Sequence, residues 1–308
     1  MRRRHWRKTE IEGIVNVLKP PGMTSSNVVS ELRHIFDMKR VGHTGTLDPG
    51  AAGVLPVWLG RATRLFDHLV DKRKEYIALL TPGLETDTED SYGAVTASSD
   101  IPLTAEDMIA VLPRFTGELR QTAPMYSSVR VDGKQMYKLA RSGQNIADDE
   151  RRVRDITVYG IEYLGEEAGG HLLRIECGKG TYIRTLVRDI ARAAGGMGYM
   201  AFLLRTGSGM FRIEDSVTLE ELRVMKERGT LDEAVISVER SLSHLGEARL
   251  TLGAANARRL TNGADIPYMG EENVPVRVYI RDEFIGIGCA ADGRLHITTY
   301  FREADPDV

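Results

Sequence analysis

The stretch that most restricts the fold of this chain is residues 42–56, GHTGTLDPGAAGVLP, in which four glycines and two prolines surround one aspartate, Asp48. Glycine and proline both interrupt regular helices and strands, so these residues predict an irregular connection. The Asp-Pro-Gly step at 48–50 favours a turn, because proline presets φ and glycine tolerates the conformation that follows. An apolar run, VLPVWLG, comes next and predicts a strand.

Taken alone, the Asp-Pro-Gly step predicts an ordinary surface turn. The glycines on either side also allow the backbone to come close to a bulky ligand, and His43, Thr44 and Thr46 supply polar groups beside it. The sequence therefore favours a second interpretation, in which Asp48 is a carboxylate held ready for a large ligand.

Helix and strand patterns are mixed along the first 246 residues. Helical spacing of apolar residues predicts helices over SSNVVSELRHIF and ATRLFDHLV, whereas strands are predicted at residues 14–18, KEYIALLT, VRDITVYGIEYL and HLLRIEC. Residues 82–100 are polar and acidic and predict a loop. Because helices and strands do not alternate regularly, the pattern favours an α+β fold over a doubly wound sheet.

The sequence changes in character near residue 247. From there VRVYIRDEFIGIGCAADGRLHITTYF shows short alternating strands with an Asp-Gly turn at 292–293. This pattern is typical of a small β-barrel or sandwich. We therefore predict two domains, residues 1–246 and 247–308.

Composition excludes several classes of protein. No apolar run approaches the ~18 residues that would span a bilayer, and the basic N-terminus MRRRHWRKTEIEG has no apolar stretch behind it, so we expect a cytoplasmic protein. The two cysteines, Cys177 and Cys289, lack metal-ligand spacing and are interpreted as core residues. The net charge of −3 gives no overall sign of a nucleic-acid partner, although basic residues cluster at 2–8, 72–74 and 151–154 and along Arg184, Arg188 and Arg192.

A second unusual stretch is GKGTYIR at residues 178–184. If Thr181 caps the helix that follows, Arg184 lies in the first turn, where the helix dipole disfavours a cation. An anionic group is therefore expected near Arg184, either a phosphate or a protein carboxylate. A nucleotide-binding P-loop is excluded, because Leu173 stands where its first glycine would fall and Gly180 stands where it requires Ser or Thr.

Together these stretches resemble the TruB family of pseudouridine synthases, in order along nearly the whole chain. The aspartate loop matches the catalytic motif of the family, and the other matching segments are VLKPPGMTS, KEYIALL, GLETDTEDSYG, QTAPMYSSVRVDGKQMYKLAR and CGKGTYIRTLVRDI. The resemblance implies a mixed-sheet catalytic domain, with a bacterial-type insertion at about 100–155. The tail is similar to a PUA RNA-binding domain.

The resemblance implies an enzyme that isomerises uridine to pseudouridine at position 55 in the T loop of tRNA, acting as a monomer without metal, organic cofactor, guide RNA or protein partner. Asp48 is implied to attack C1′ or to remove a ribose proton, and both roles stay open. We expect Arg184 to pair with Asp48, and Tyr76 to stack on the flipped base and carry the proton from C5. The predicted substrate-binding residues are His43, Tyr182, Leu203, Lys19, Arg141 and Arg151.

Three positions depart from the family pattern: Leu204 replaces a usual arginine, Ala52 a usual threonine, and APMY a common pair of prolines. Two other functions were weighed. A guide-dependent, dyskerin-like synthase shares the aspartate loop, but the bacterial-type insertion and the short N-terminus argue against it. A tRNA-folding chaperone needs no catalysis, and substitution of Asp48 distinguishes it from an enzyme.

Overall fold

The computed structural model of the chain describes residues 11–68, 73–127, 129–131, 133–144, 146 and 151–301. The basic cluster at residues 2–8 and Lys72 lie outside these ranges. Among the helices that are described, none is long and apolar enough to cross a membrane.

The elements of the described chain are numbered in sequence order. The helices are α1 (Ser25–Ile35), α2 (Ala105–Val111), α3 (Met136–Arg141), α4 (Ile183–Ala193), α5 (Leu219–Arg228), α6 (Val238–Ser241) and α7 (Ala254–Thr261), with 3₁₀-helices at Gly60–His68, Leu112–Phe115, Ile213–Asp215 and Leu231–Ala234. The strands are β1 (Gly13–Lys19), β2 (Val41–His43), β3 (Ala52–Leu59), β4 (Lys74–Pro82), β5 (Leu84–Thr86), β6 (Val95–Ser98), β7 (Gly117–Thr122), β8 (Arg130–Val131), β9 (Lys134–Gln135), β10 (Val153–Glu167), β11 (Gly170–Cys177), β12 (Gly198–Ser208), β13 (Phe211–Arg212), β14 (Gly246–Leu250), β15 (Ile266–Pro267), β16 (Pro275–Ile280), β17 (Glu283–Ala291) and β18 (Arg294–Tyr300).

The large sheet has the order β1-β3-β12-β4-β11-β10-β7, with β2 beside β3 and β13 beside β12. Its strands pair antiparallel except β3 with β12, which run parallel at Leu204 and Arg205. Helices α1 and α5 pack their apolar residues on β1 and β3, while α2 and α4 cover β4, β10 and β11. The mixed-sheet α+β fold predicted from the sequence is confirmed.

Two local predictions differ from the structure. Residues 62–68 of the predicted helix ATRLFDHLV belong to a 3₁₀-helix that begins at Gly60, and the last two residues of the segment lie outside the described residues. Residues 82–100, predicted as loop, contain the antiparallel hairpin β5–β6. Both short strands are only three or four residues long, which is too short for a period-2 pattern to be distinguished from loop sequence.

The segment predicted as an insertion is divided between two structural roles. Strand β7 pairs with β10 in the large sheet from Gly117 to Thr122, and α2 packs into the main core through Met108 and Val111. The part that stands apart therefore starts only after Thr122, where Ala123 donates to the carbonyl of Arg152 at 3.0 Å. The predicted bounds of the insertion, about 100–155, stay a prediction.

The C-terminal region forms its own sheet, in the order β14-β16-β17-β18-β15, with β14 and β16 parallel. Its apolar core includes Ala248, Leu260, Val278 and Leu295. This half-barrel agrees with the predicted PUA-like fold. The sheet also contacts the N-terminal part of the chain directly, because Tyr279, Phe284 and Phe301 share one buried cluster with Ile14, Val54 and Trp58.

Candidate active site

The aspartate loop connects β2 to β3 and is fixed to the first helix. The Ser25 hydroxyl, at the start of α1, donates to the carbonyl of Leu47 at 3.1 Å and accepts from the Leu47 amide at 3.0 Å. Within the loop, the amide of Ala51 donates to the carbonyl of Asp48 at 3.1 Å and closes the predicted turn. The backbone on both sides of Asp48 is therefore held in place.

Lys19 binds the backbone of this loop through its ammonium group. Its side chain is fully buried, and Nζ donates to the carbonyls of Pro20, Pro49 and Ala51 at 2.9, 3.1 and 2.6 Å. Burial lowers the pKa of Lys19 to about 8, with Asp48 acting in the opposite direction and Arg205 in the same direction. All three donors of the Lys19 ammonium are therefore occupied by backbone carbonyls, and a contact of this residue with substrate stays a prediction.

Arg205 supports the loop from the neighbouring strand, a role that the sequence did not reveal. It is fully buried, and it donates from Nε to the carbonyl of Val54 at 2.7 Å and from Nη2 to the carbonyl of Gly45 at 2.9 Å. Gly53 lies against its backbone at φ +113°, where a Cβ would stand 2.2 Å from the carbonyl oxygen of Arg205. This glycine is therefore required by a close approach of two strands.

Arg184 holds the Asp48 carboxylate, as the sequence predicts. The guanidinium donates from Nε to Oδ2 at 2.9 Å, and Nη2 lies 3.5 Å from Oδ1. It also donates to the carbonyls of Thr88 at 2.7 Å and Tyr126 at 2.9 Å, while Asp90 lies 3.9 Å from Nε. The Arg184 side chain is 5% exposed and that of Asp48 is 39% exposed. A buried cation thus positions a carboxylate that can reach a ligand.

The helix start differs in detail from the prediction. Tyr182, and not Thr181, is the N-cap residue of α4, and it makes no side-chain capping bond. The Thr181 hydroxyl donates instead to the carbonyl of Gly178 at 3.2 Å. Arg184 still lies in the first turn, so the argument from the helix dipole holds, and the anion beside it is a protein carboxylate.

The other arginines of α4 also have carboxylate partners in the acidic loop. Arg188 is paired with Glu89, which accepts a second bond from the Thr185 hydroxyl at 2.6 Å, and Arg192 binds both oxygens of Glu85 at 2.6 Å. Burial raises the pKa of Glu89, with Arg188 acting against it. Each arginine of this row therefore has a carboxylate partner, and Arg192 remains half-exposed at its end.

Tyr76 and Leu203 belong to the apolar wall beside the aspartate loop. Both are buried and share one cluster with Leu47 and Ala51, the apolar residues on either side of the Asp48 turn. Burial is the main cause that raises the pKa of the Tyr76 hydroxyl, and the charge of Arg205 opposes it. The phenol therefore keeps its proton at neutral pH.

His43 ends β2 and is half-buried, and its Nδ1 has no hydrogen-bond partner within the described residues. Burial lowers the pKa of this imidazole below 6.5, and Arg205 acts in the same direction, so the ring is neutral near pH 7.

Tyr182 packs against the small core formed by Ala123, Met125, Val129 and Met136. Its backbone is held by Gln121, which sequence reasoning missed, through bonds of 2.8 and 3.0 Å.

The two basic residues predicted in the insertion are Arg141 and Arg151. Arg141 is the last residue of α3, and its side chain lies outside the part that is described. Arg151 donates from Nε to the carbonyl of Ile146 at 2.8 Å. Contacts of either residue with RNA stay a prediction.

The site combines one accessible carboxylate, a neutral buried phenol and an apolar wall. A carboxylate in such a place can attack an electrophilic carbon or remove a proton. Within the described residues no group of His, Cys, Asp or Glu side chains could hold a metal ion.

Comparison with known proteins gave three family matches. Residues 33–183 match the TruB family pseudouridylate synthase N-terminal domain, residues 184–243 the tRNA pseudouridylate synthase B C-terminal domain, and residues 248–297 the C-terminal domain of pseudouridine synthase II TruB. Among curated proteins, tRNA pseudouridine synthase B of Pelotomaculum thermopropionicum is 45% identical over 80% of this chain and 79% of its own. The protein of that name from Alkaliphilus oremlandii is 39% identical over 90% and 93%.

Solved structures of similar fold come from larger assemblies. A chain of a Cbf5-Nop10-Gar1 complex is 28% identical with a TM-score of 0.69, covering 94% of this chain and 85% of that one. A chain of an H/ACA RNP bound to a substrate RNA containing 2′-deoxyuridine is 27% identical with a TM-score of 0.68, again covering 94% and 85%.

Proposed function

The chain belongs to the TruB family of pseudouridylate synthases, and on that premise we propose that it modifies the uridine at position 55 in the T loop of tRNA, with Asp48 as the reacting carboxylate. The enzyme is a pseudouridine synthase, an isomerase, and tRNA is its substrate class. The choice of uridine and the roles of individual residues are the new parts of the proposal.

The Asp48–Arg184 pair is the observation that carries the assignment of the reacting group. Pseudouridine formation breaks the N1–C1′ bond, joins C5 to C1′, removes the C5 proton and leaves a proton on N1, so no net redox change occurs. A carboxylate beside the sugar can start this by attacking C1′ or by taking a ribose proton. Asp48 has the exposure that either step requires, and the Arg184 guanidinium holds the carboxylate in place through both of its oxygens.

The wall beside Asp48 supports a role in holding an extruded base. A base inside a folded loop must leave its stack at a cost of a few kcal/mol, and aromatic stacking at ~1–3 kcal/mol per base offsets part of that cost. Tyr76 supplies the aromatic ring and Leu203 the apolar surface next to it. We assign to His43, with its neutral ring and unpartnered nitrogen, a contact to the displaced part of the loop.

We propose that the enzyme acts as a monomer in the cytoplasm without a guide RNA. The stronger identity to proteins named tRNA pseudouridine synthase B, 45% against 28% for the Cbf5 chain, supports tRNA as a direct substrate. The two solved neighbours come from a Cbf5-Nop10-Gar1 complex and from an H/ACA RNP bound to a substrate RNA, so the dependence on partners must be tested directly.

The deciding experiment incubates the purified protein alone with an unmodified tRNA transcript and maps pseudouridine at nucleotide resolution. We expect one site, at position 55, that disappears when this uridine is replaced by cytidine. Modification elsewhere would overturn the choice of uridine. No product without added guide RNA or protein would overturn the direct recognition of tRNA.

Asp48→Asn tests the reacting group in the same assay. It keeps the shape of the side chain and removes the reactive charge, so product formation should fall by at least ~10³-fold while tRNA affinity stays within about twofold, because phosphate contacts dominate binding. The matched control is Asp100→Asn, an exposed aspartate outside the site. Turnover of Asp48→Asn within tenfold of wild type would place the chemistry on another residue.

A further inference from the structure

Tyr92 is a large aromatic residue placed in solvent beside the reacting carboxylate. It is 71% exposed, although burial of a tyrosine ring is usually favourable. Its ring lies over the aspartate loop, because a Cβ built on Gly50 would stand 2.2 Å from Tyr92 Cε2. Gly50 follows Asp48 by two residues, so the exposed ring lies against the same loop that carries the reacting carboxylate.

The position of this ring is fixed by the network that holds Asp48. The amide of Tyr92 donates to Asp90 Oδ1 at 3.0 Å, and the Thr88 hydroxyl donates to the same oxygen at 2.6 Å. Arg184, which binds Asp48, also binds the carbonyl of Thr88 and lies 3.9 Å from Asp90. One buried guanidinium therefore sets the relative positions of the carboxylate and the exposed ring.

The chemistry around Tyr92 selects a base over a phosphate as its partner. The carboxylates of the acidic loop are bound by arginines, hydroxyls or backbone amides, as shown by Glu85, Asp87, Glu89 and Asp90. The loop thus offers a flat aromatic face and acidic groups, and acidic groups repel phosphate. An exposed aromatic ring can stack on any base, because every base has a π-face.

We propose that Tyr92 binds substrate by stacking on a nucleotide that flanks the target uridine, and so sets the position of the RNA backbone while the uridine is inserted beside Asp48. This inference rests on the proposed function, since it requires an RNA loop with one extruded base in the cleft. It extends that function by adding an exposed stacking residue beside Gly50, separate from the buried apolar wall that contains Tyr76 and Leu203.

The first test measures RNA affinity in the Asp48→Asn background, so that turnover does not interfere. Using an unmodified T-arm stem-loop RNA, we expect Tyr92→Ala and Tyr92→Leu to weaken binding by about 5- to 150-fold, the equivalent of ~1–3 kcal/mol. Tyr92→Phe should stay within twofold of the parent, because it keeps the ring. Val95→Ala, at a 60% exposed position in the same hairpin, is the matched control and should also stay within twofold.

The partner base is then identified with RNAs that carry a single abasic nucleotide. At the stacked position, loss of the base should weaken binding to the parent but cause no further loss in Tyr92→Ala. At all other positions the two losses should add, as they do for independent sites. Additive losses at every flanking position would overturn the proposal.

Gly50→Ala gives an independent check on the geometry, because its methyl group would displace the Tyr92 ring. The substitution should weaken RNA binding when Tyr92 is present and have little effect in Tyr92→Ala. Equal losses in both backgrounds would show that the loop, and not the ring, was disturbed.

These outcomes separate the inference from the function on which it rests. If wild type modifies tRNA but Tyr92→Ala binds and reacts as wild type does, Tyr92 stacks on nothing and only this inference fails. If wild type forms no pseudouridine, the proposed function fails whatever the affinities show. A Tyr92→Phe variant as weak as Tyr92→Ala would assign the effect to the hydroxyl and overturn stacking.

Discussion

Two regions of the molecule use charged residues in opposite ways. One is the site formed by the aspartate loop with Lys19, Arg184 and Arg205, called the cleft below, and the other is the C-terminal sheet. In the cleft, Lys19 and Arg205 are fully buried and Arg184 is 4% exposed. In the C-terminal sheet the core is apolar, and arginines such as Arg249 and Arg258 lie on the surface. Buried ions cost several kcal/mol each unless they are well paired, whereas surface ions cost little.

This difference shows that the backbone is held more precisely around Asp48 than in the C-terminal sheet. The three buried cations of the cleft bind mainly backbone carbonyls of the aspartate loop, the acidic loop and the segment at Tyr126, and they reach Asp48 through Arg184 alone. A cation that binds carbonyls fixes the path of the backbone. The C-terminal sheet has an apolar core instead, so its surface charges can change without moving the fold.

The largest effect is expected for Arg184→Ala. It removes the partner of Asp48 and three further contacts, to Thr88, Tyr126 and Asp90, so we expect the single-turnover rate on tRNA to fall by ~10²–10⁴-fold. Arg184→Lys keeps the charge but not the planar fork, so it should lose less, with tRNA affinity near that of wild type. Equal single-turnover rates for Arg184→Lys and wild type would show that the planar guanidinium group is not required.

The next effect concerns Lys19→Met, which removes the buried ammonium and keeps similar bulk. Three carbonyls, of Pro20, Pro49 and Ala51, lose their donor, and we expect the free energy of unfolding to fall by ~2–4 kcal/mol, with slower turnover. Urea unfolding of the two proteins measures the loss. A variant as stable as wild type would show that the three bonds only offset the burial of the charge.

The same pair of proteins gives a pH test. The pKa of Lys19 is about 8 in the folded protein and near 10.5 in the unfolded chain, so between these values the unfolded chain binds more protons at this site. The contribution of Lys19 to the free energy of unfolding therefore rises with pH through this window and is lost as pH falls through about 8. We expect the difference between wild type and Lys19→Met to grow from pH 8 to pH 10. A constant difference would contradict the lowered pKa.

The sequence predicted the pair of Asp48 and Arg184 better than it predicted Lys19 and Arg205, the residues that hold the aspartate loop. Arg184 could be predicted because a cation in the first turn of a helix requires an anion, which is a local argument. Lys19 could not, since two of its three acceptors, the carbonyls of Pro49 and Ala51, belong to a loop about thirty residues away that only the folded chain brings close. Arg205 could not be predicted either, because its acceptors, the carbonyls of Val54 and Gly45, lie 151 and 160 residues away along the chain. Short elements such as β5 and β6 lack enough residues to show a period.

The C-terminal sheet provides the smallest predicted effect. Deleting it would expose Trp58 and Val54, which pack against Tyr279 and Phe284, so truncation mixes binding with stability. Point substitutions on α7 avoid this, because Arg258 and Arg259 are exposed and have no ion-pair partner in the described part of the chain.

If this sheet docks tRNA, replacing Arg258 and Arg259 together by Gln should weaken tRNA affinity by about 3- to 30-fold and reduce the slope of log affinity against log salt by about one to two, since each lost phosphate contact removes ~0.7–0.9 from the slope. The rate of reaction on bound RNA should not change, because neither residue lies in the cleft. The control is Arg249→Gln, whose charge is already balanced by Glu247 and Asp282. An unchanged salt slope with a slower reaction would mean that the sheet acts on the chemistry, and the contrast between the two regions would fail.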